Sequence, residues 1–162
     1  MNAGGRTILW SVTTLHVGAA LSLLAAIIHL WVMPEHFEEW WGYGTFFLVV
    51  AIAQGLYALF LLRRPGRPIL LLGVAGNLIV VILWVVTRTS GIPLVGPHAG
   101  EVEEVGALDL LCTLAELGVI FGLGAAMKDL VTESRIQIVV VFTVSAFLFW
   151  HLLHLLAGSS AH

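Results

Sequence analysis

Apolar and polar positions alternate on a long scale in this chain. Five hydrophobic runs, at 8–33, 43–62, 69–87, 105–127 and 136–158, are joined by short polar connections. A hydrocarbon core about 30 Å thick is crossed by roughly 20 mostly apolar residues, and every run meets that length. Inside lipid there is no water to satisfy backbone N–H and C=O groups, so each run must close its own hydrogen bonds as a helix. The pattern predicts an all-α integral membrane protein, a bundle of five transmembrane helices forming a single domain over residues 1–162. The first run is far longer than the ~7–15 residues of a signal-peptide core, and no small-x-small cleavage site follows it. It reads as a retained span.

The connections carry their own patterns. In the first, PEHFEEWW over residues 34–41, Pro34 cannot continue a preceding helix but suits the first turn of a new one. At about 100° per residue, Glu35, Glu38 and Glu39 share one face, Phe37, Trp40 and Trp41 the other, and His36 lies on the boundary. The expectation is a short interfacial helix on the outer side, acids to water and aromatics to lipid. The connection at 88–104 contains Gly91, Pro93, Gly96, Pro97 and Gly100 and reads as an irregular loop. Glu101, Glu103 and Glu104 then approach the N-terminus of the fourth span, where the macrodipole favours acids.

Charge orients the bundle. Six of the seven Lys and Arg residues (Arg6, Arg63, Arg64, Arg67, Lys128 and Arg135) fall at one end of the spans, and only Arg88 at the other. The positive-inside rule places the N-terminus in the cytoplasm and the C-terminus outside. Trp10 marks the inner interface, and Trp31, Trp40, Trp41, Tyr43 and Trp84 the outer one. With 59% hydrophobic and 10% charged residues, too little polar sequence remains for a separate soluble domain. The dispersed basic residues exclude a nucleic-acid surface. A single cysteine, Cys112, excludes an internal disulfide. Close helix packing falls to small residues: Gly118 and Gly122 as a GxxxG pair, with Gly73, Gly76, Ala25 and Ala26.

Six of the seven histidines lie toward the outer end. Ionisable groups within spans are costly in lipid and should face protein or a water-filled cavity. The fourth span carries Asp109, Cys112 and Glu116 at i, i+3 and i+7, which is one stripe. The fifth carries His151 and His154 one turn apart, and the first carries His16 and His29. At 1.5 Å per residue, His29, Asp109 and His154 each lie roughly 6 Å inside the outer end of a span, with His151 a turn deeper. Imidazole and carboxylate suit iron, copper or zinc, and bundle metal sites are built from inward-facing side chains on neighbouring helices. His29, Asp109, His151 and His154 are therefore the expected inner ligands. His36, Glu39, His98, Glu101 and Glu104 are outer candidates. His16, Gln54, Asn77 and Glu116 make a deeper polar layer. Glu116 suits a hydrogen-bonding core role, a proton relay or a deep ligand. Cys112 reads as packing.

The stretches PEHFEEWWGYGTFF and RTSGIPLVGPHAGEVEEVGALDLL resemble those of small, uncharacterised bacterial multi-span membrane proteins, over most of residues 29–116. The resemblance implies a bacterial cytoplasmic membrane and no particular activity.

The leading functional expectation is an extracytoplasmic-side His/carboxylate transition-metal site, used for metal handling or metal-dependent redox chemistry. A b-type haem protein is the alternative, with His29 and either His151 or His154 as axial ligands. A third reading is a small accessory subunit or proton-coupled channel. If the chain is an enzyme, it is a metal- or haem-dependent membrane oxidoreductase, since no Ser or Cys nucleophile sits in a catalytic motif. The partners expected are the lipid bilayer and either further copies of the chain or a larger membrane complex. The orientation is directly testable: reporter fusions at Arg64 and at His162 should report opposite sides of the membrane, and same-side reporters would overturn it.

Overall fold

Four helices follow one another along the chain: α1 (Ala3–Glu39), α2 (Trp41–Arg63), α3 (Arg67–Thr89) and α4 (Ala107–Leu130). The computed structural model describes residues 3–63, 65–92 and 96–130, which fall in one unit ending at Leu130. Among them there is no strand, and all four helices are long and apolar enough to cross a membrane. The expected fifth span at 136–158 lies outside the described residues, and His151 and His154 lie outside with it.

The separate interfacial helix expected at residues 34–41 is not what the chain forms. Helix α1 runs through Pro34 to Glu39. Proline removes one backbone donor and crowds the preceding turn, but contacts with α2 hold the extension in place. The His36 ring lies 4.0 Å, centroid to centroid, from the Phe47 ring, and the Phe37 ring lies on Gly44, where any Cβ would collide with it. His36 Nδ1 also bonds the Val32 carbonyl at 2.9 Å, and the Trp40 amide donates to the His36 carbonyl at 3.0 Å. Glu35, Glu38 and Glu39 are exposed, as the pattern requires. Trp40, expected in lipid, instead turns inward beside Trp41 and Tyr43.

Helix α3 begins with Pro68 in its first turn after Gly66, a position where proline's missing N–H costs no helical bond. It ends at Ser90, whose amide bonds Val86 O. The following loop turns at Gly91, where φ is +65°. There the backbone of Gly100 and Glu101 comes so close that a Cβ would collide with it, and glycine alone meets both demands. The loop is then pinned back to α3 by the Glu103 amide donating to Thr87 O at 3.0 Å.

In the packing, α1 lies against α2 and α4, and α3 lies against α4, while α2 and α3 touch sparingly. Helices approach closely where side chains are small. Gly118 and Gly122 of α4 face Leu21 and Thr14 of α1, and Gly18 of α1 faces Leu123 and Leu61. One apolar cluster joins Ala19, Tyr57, Leu61, Leu70, Val119 and Leu123, and a second joins Ala25, Ile28, Cys112 and Ala115. Outward-facing Ile79, Leu114 and Leu72 are over 60% exposed, as lipid-facing residues would be.

Gly73 provides a stability test. A methyl group there would overlap the Tyr57 hydroxyl and come within 2.8 Å of Leu123 Cδ1, whereas one at Gly76 meets nothing within 4 Å. Gly73→Ala should destabilise the purified protein by about 1–3 kcal/mol, the usual cost of overpacking. Gly76→Ala should leave the thermal midpoint in detergent unchanged or slightly raised. Equal midpoints for the two variants would contradict the packing described.

Candidate metal centre and its cavity

The stripe read on the fourth span is real in α4: Asp109, Cys112 and Glu116 share a face, and it is turned inward. Cys112 is 8% exposed and Glu116 1%. Across from them α1 brings His29, 4% exposed. Its Nδ1 lies 2.8 Å from the Ala25 carbonyl one turn back. That acceptor fixes a proton on Nδ1 and leaves the lone pair on Nε2, the usual second-sphere arrangement of a metal-binding imidazole. Nε2 is 3.9 Å from Glu116 Oε1. Cys112 Sγ is 3.3 Å from His29 Nδ1 and 4.0 Å from Glu116 Oε1. One ligand atom from each of the three residues falls within 4.8 Å of the others.

Amides on two further helices orient this trio. Gln54 Nε2 donates to Glu116 Oε1 at 2.9 Å and to Asn77 Oδ1 at 3.4 Å. Asn77 in turn donates to the Gly73 carbonyl at 2.8 Å. Ser22 Oγ donates to the backbone carbonyl of Gln54 at 2.9 Å, tying α1 to α2 at this level. Each of the four helices thus contributes to one polar layer.

The trio forms the floor of a cavity of about 360 Å³ whose walls come from all four helices. Those walls are mainly apolar and aromatic, with Trp40, Phe46, Phe47 and Trp84 prominent. At the opposite end sits Arg88, 8% exposed. Its guanidinium bonds Asp109 Oδ2 at 2.7 Å and also pairs with Glu103. Asp109 Oδ2 additionally accepts the Gly106 amide at 3.0 Å. This is half of a capping box, an acid at the third helical position closing the N-terminus of α4. Buried ion pairs rely on such extra bonds to offset desolvation.

The sequence-derived candidates are distributed as follows. His29 and Glu116 meet, and Gln54 and Asn77 bond directly to that layer. Asp109 is held by Arg88 and the helix cap. His36 lines the cavity wall against Phe47. His98 pairs with Glu101 at 2.9 Å on the exposed loop. Glu39 and Glu104 are exposed. His16 is exposed and bonds the Val12 carbonyl at 2.8 Å; Glu116's partners are Gln54, His29 and Cys112 instead. Three participants escaped the sequence reading: Cys112, taken as packing, Arg88, counted only as a charge, and Glu103, assigned to the helix dipole. The i, i+3, i+7 stripe already placed Cys112 beside Glu116. Only the folded loop could pair Arg88 with two acids.

The ion-pair cluster predicts an asymmetry. The Asp109 side chain is 31% exposed and that of Glu103 49%, and only Asp109 also caps α4. Asp109→Asn should lower stability by about 1–2 kcal/mol, toward the low end for charged hydrogen bonds because the pair is partly solvated. Glu103→Gln should cost clearly less. A thermal-midpoint comparison in detergent checks the order, and a larger loss for Glu103→Gln would refute it.

No protein-family model matches this chain, and no curated protein or solved structure is significantly similar to it.

Proposed function

We propose that this membrane protein binds one divalent transition-metal ion through His29, Cys112 and Glu116, and serves metal handling or metal-dependent redox chemistry. The carrying observation is the convergence of three different ligand atoms, all from buried residues, within 4.8 Å inside the membrane-spanning bundle. Charge balance supports it. A thiolate and a carboxylate carry two negative charges and imidazole none, so a divalent cation makes the assembly neutral where uncompensated charge is most costly. The mixed nitrogen, sulfur and oxygen set suits zinc, iron(II) or copper(II) better than calcium or magnesium. Three protein ligands leave a coordination position open, as in zinc sites that exchange or activate a bound molecule, and here that position faces the cavity. The hydrogen-bonded amides of Gln54 and Asn77 and the Ala25 carbonyl provide the orienting outer sphere such sites require. By the charge bias of the connections, the site lies toward the extracytoplasmic face.

The sole cysteine gives this proposal a specific signature. Loading the purified chain with cobalt(II) should produce one equivalent of bound ion and a near-ultraviolet thiolate-to-metal band. Cys112→Ser should remove the band, and His29→Ala and Glu116→Gln should each weaken binding by tenfold or more. His98→Ala, in the exposed loop, should change nothing. Occupancy should fall on acidification, because imidazole and thiol must be free of protons to coordinate. A band that survives Cys112→Ser, or an unchanged stoichiometry in His29→Ala, would exclude this site.

A further inference from the structure

The cavity lies wholly on one side of the polar layer. Its lining begins at Ile28 on α1 and at Val80 on α3, and it ends at Phe47 on α2 and at Glu116 on α4. No lining residue falls beyond the level of Gln54, Asn77 and Glu116, on the side away from Arg88. At the Arg88 end the lining includes Glu103 and Asp109, whose side chains are 49% and 31% exposed. At the deep end it includes His29, Cys112 and Glu116. The cavity therefore leads from exposed acids to the candidate ligands, over about 10 Å of α4 at 1.5 Å per residue.

Beyond the layer the bundle is closed. The next turns carry Tyr57 and Leu61 of α2, Leu70 of α3, and Val119 and Leu123 of α4, which pack with Ala19 of α1 as one cluster. Leu61, Leu70, Val119 and Leu123 are at most 1% exposed. A methyl at Gly73 would overlap Tyr57, and one at Gly18 would stand 3.3 Å from Leu123. Hydrocarbon packed this closely has neither the room nor the polar partners that water or an ion requires. Among the described residues, the trio is open toward one end of the bundle and sealed from the other. Charge at the open end favours cations. One guanidinium, that of Arg88, meets two carboxylates there, and Glu101 and Glu104 are exposed beside Glu103 in the same loop. A cleft mouth with excess negative charge concentrates cations.

We propose that the cavity is a one-sided entry route: small cations reach His29, Cys112 and Glu116 from the Arg88 end and from nowhere else. The centre then exchanges its ion with that face of the membrane and does not pass it across. That the cargo is a metal ion rests on the reading above; the route itself does not. The sole cysteine lines the route, so it serves as the reporter. The full chain, in right-side-out and inside-out vesicles stripped of metal by chelation, is treated with two membrane-impermeant methanethiosulfonates. One reagent carries a quaternary ammonium and the other a sulfonate. In a Cys112→Ala background, Glu104→Cys and Arg67→Cys, both at exposed positions, mark the two faces. Cys112 should be modified from the Glu104 face and stay unmodified from the Arg67 face. Val119→Cys in the same background, one turn beyond Glu116, should resist both reagents from either face until the chain is unfolded. At low ionic strength the cationic reagent should outpace the anionic one at Cys112 by about tenfold, after correction for their rates with a free thiol in solution. Added salt should narrow that gap. Modification of Cys112 from the Arg67 face, or of the Val119→Cys variant from either face, would overturn the route. So would a faster anionic reagent, or a Cys112 that reacts from neither face yet reacts once the chain is unfolded. Because metal is absent throughout, failure of the cobalt experiment would leave this result standing, and failure of the route would leave the cobalt stoichiometry untouched.

Discussion

A carboxyl group in the middle of a membrane-spanning bundle constrains everything packed around it. Glu116 is 1% exposed, so almost none of its surface is left for bulk solvent. In lipid such a group must face protein and be hydrogen-bonded there. The chain meets that demand by bringing one polar side chain from each of the other three helices to a single level: His29 from α1, Gln54 from α2 and Asn77 from α3. Small residues make this approach possible, since Gly118 admits Leu21 and Gly73 admits the Tyr57 ring. Packing and polarity are thus one problem here. Close backbones shorten the reach to Glu116, and the bonds to Glu116 fix how the helices register.

A second polar level, at Arg88, is organised by a loop. The left-handed turn at Gly91 and the bond from the Glu103 amide to Thr87 O return the chain over the end of α3. Glu103 and Asp109 then reach Arg88 from two sides. Between the two levels the helices line their facing surfaces with rings and aliphatic chains, which leaves the cavity.

Much of this was written in the sequence. Hydrophobic length gave four helices that the structure shows, and helical periodicity gave the inward stripe on α4. Counting depth at 1.5 Å per residue put His29 near that stripe. Of the polar residues at mid-span, Gln54 proved to be the amide that bonds Glu116, and Asn77 accepts from Gln54 in turn. Other features were not legible because they depend on contacts distant in sequence. Pro34 signals a helix break by its local chemistry, yet Phe37 on Gly44 and His36 on Phe47 carry α1 past it. Arg88 stood out only as an exception to the charge bias, because its partners arrive through a loop whose path no periodicity encodes. Cys112 was discounted because a lone cysteine in a span is ordinary. What distinguishes it is the imidazole of another helix 3.3 Å away.

The order of apolarity among the spans bears on how the protein enters the membrane. Helix α3 has the highest mean hydropathy, 2.8, with only 22% of its span window buried, whereas α4 has the lowest, 1.9, with 50% buried. An acidic residue near the centre of an inserting helix opposes partitioning by about 2.5–3.5 kcal/mol. Helix α3 therefore partitions more readily on its own than α4, whose Glu116 finds its partners in His29 of α1 and Gln54 of α2. The groups that hold Glu116 in the folded bundle, His29 and Gln54, thus also bear on how α4 is accommodated in the bilayer.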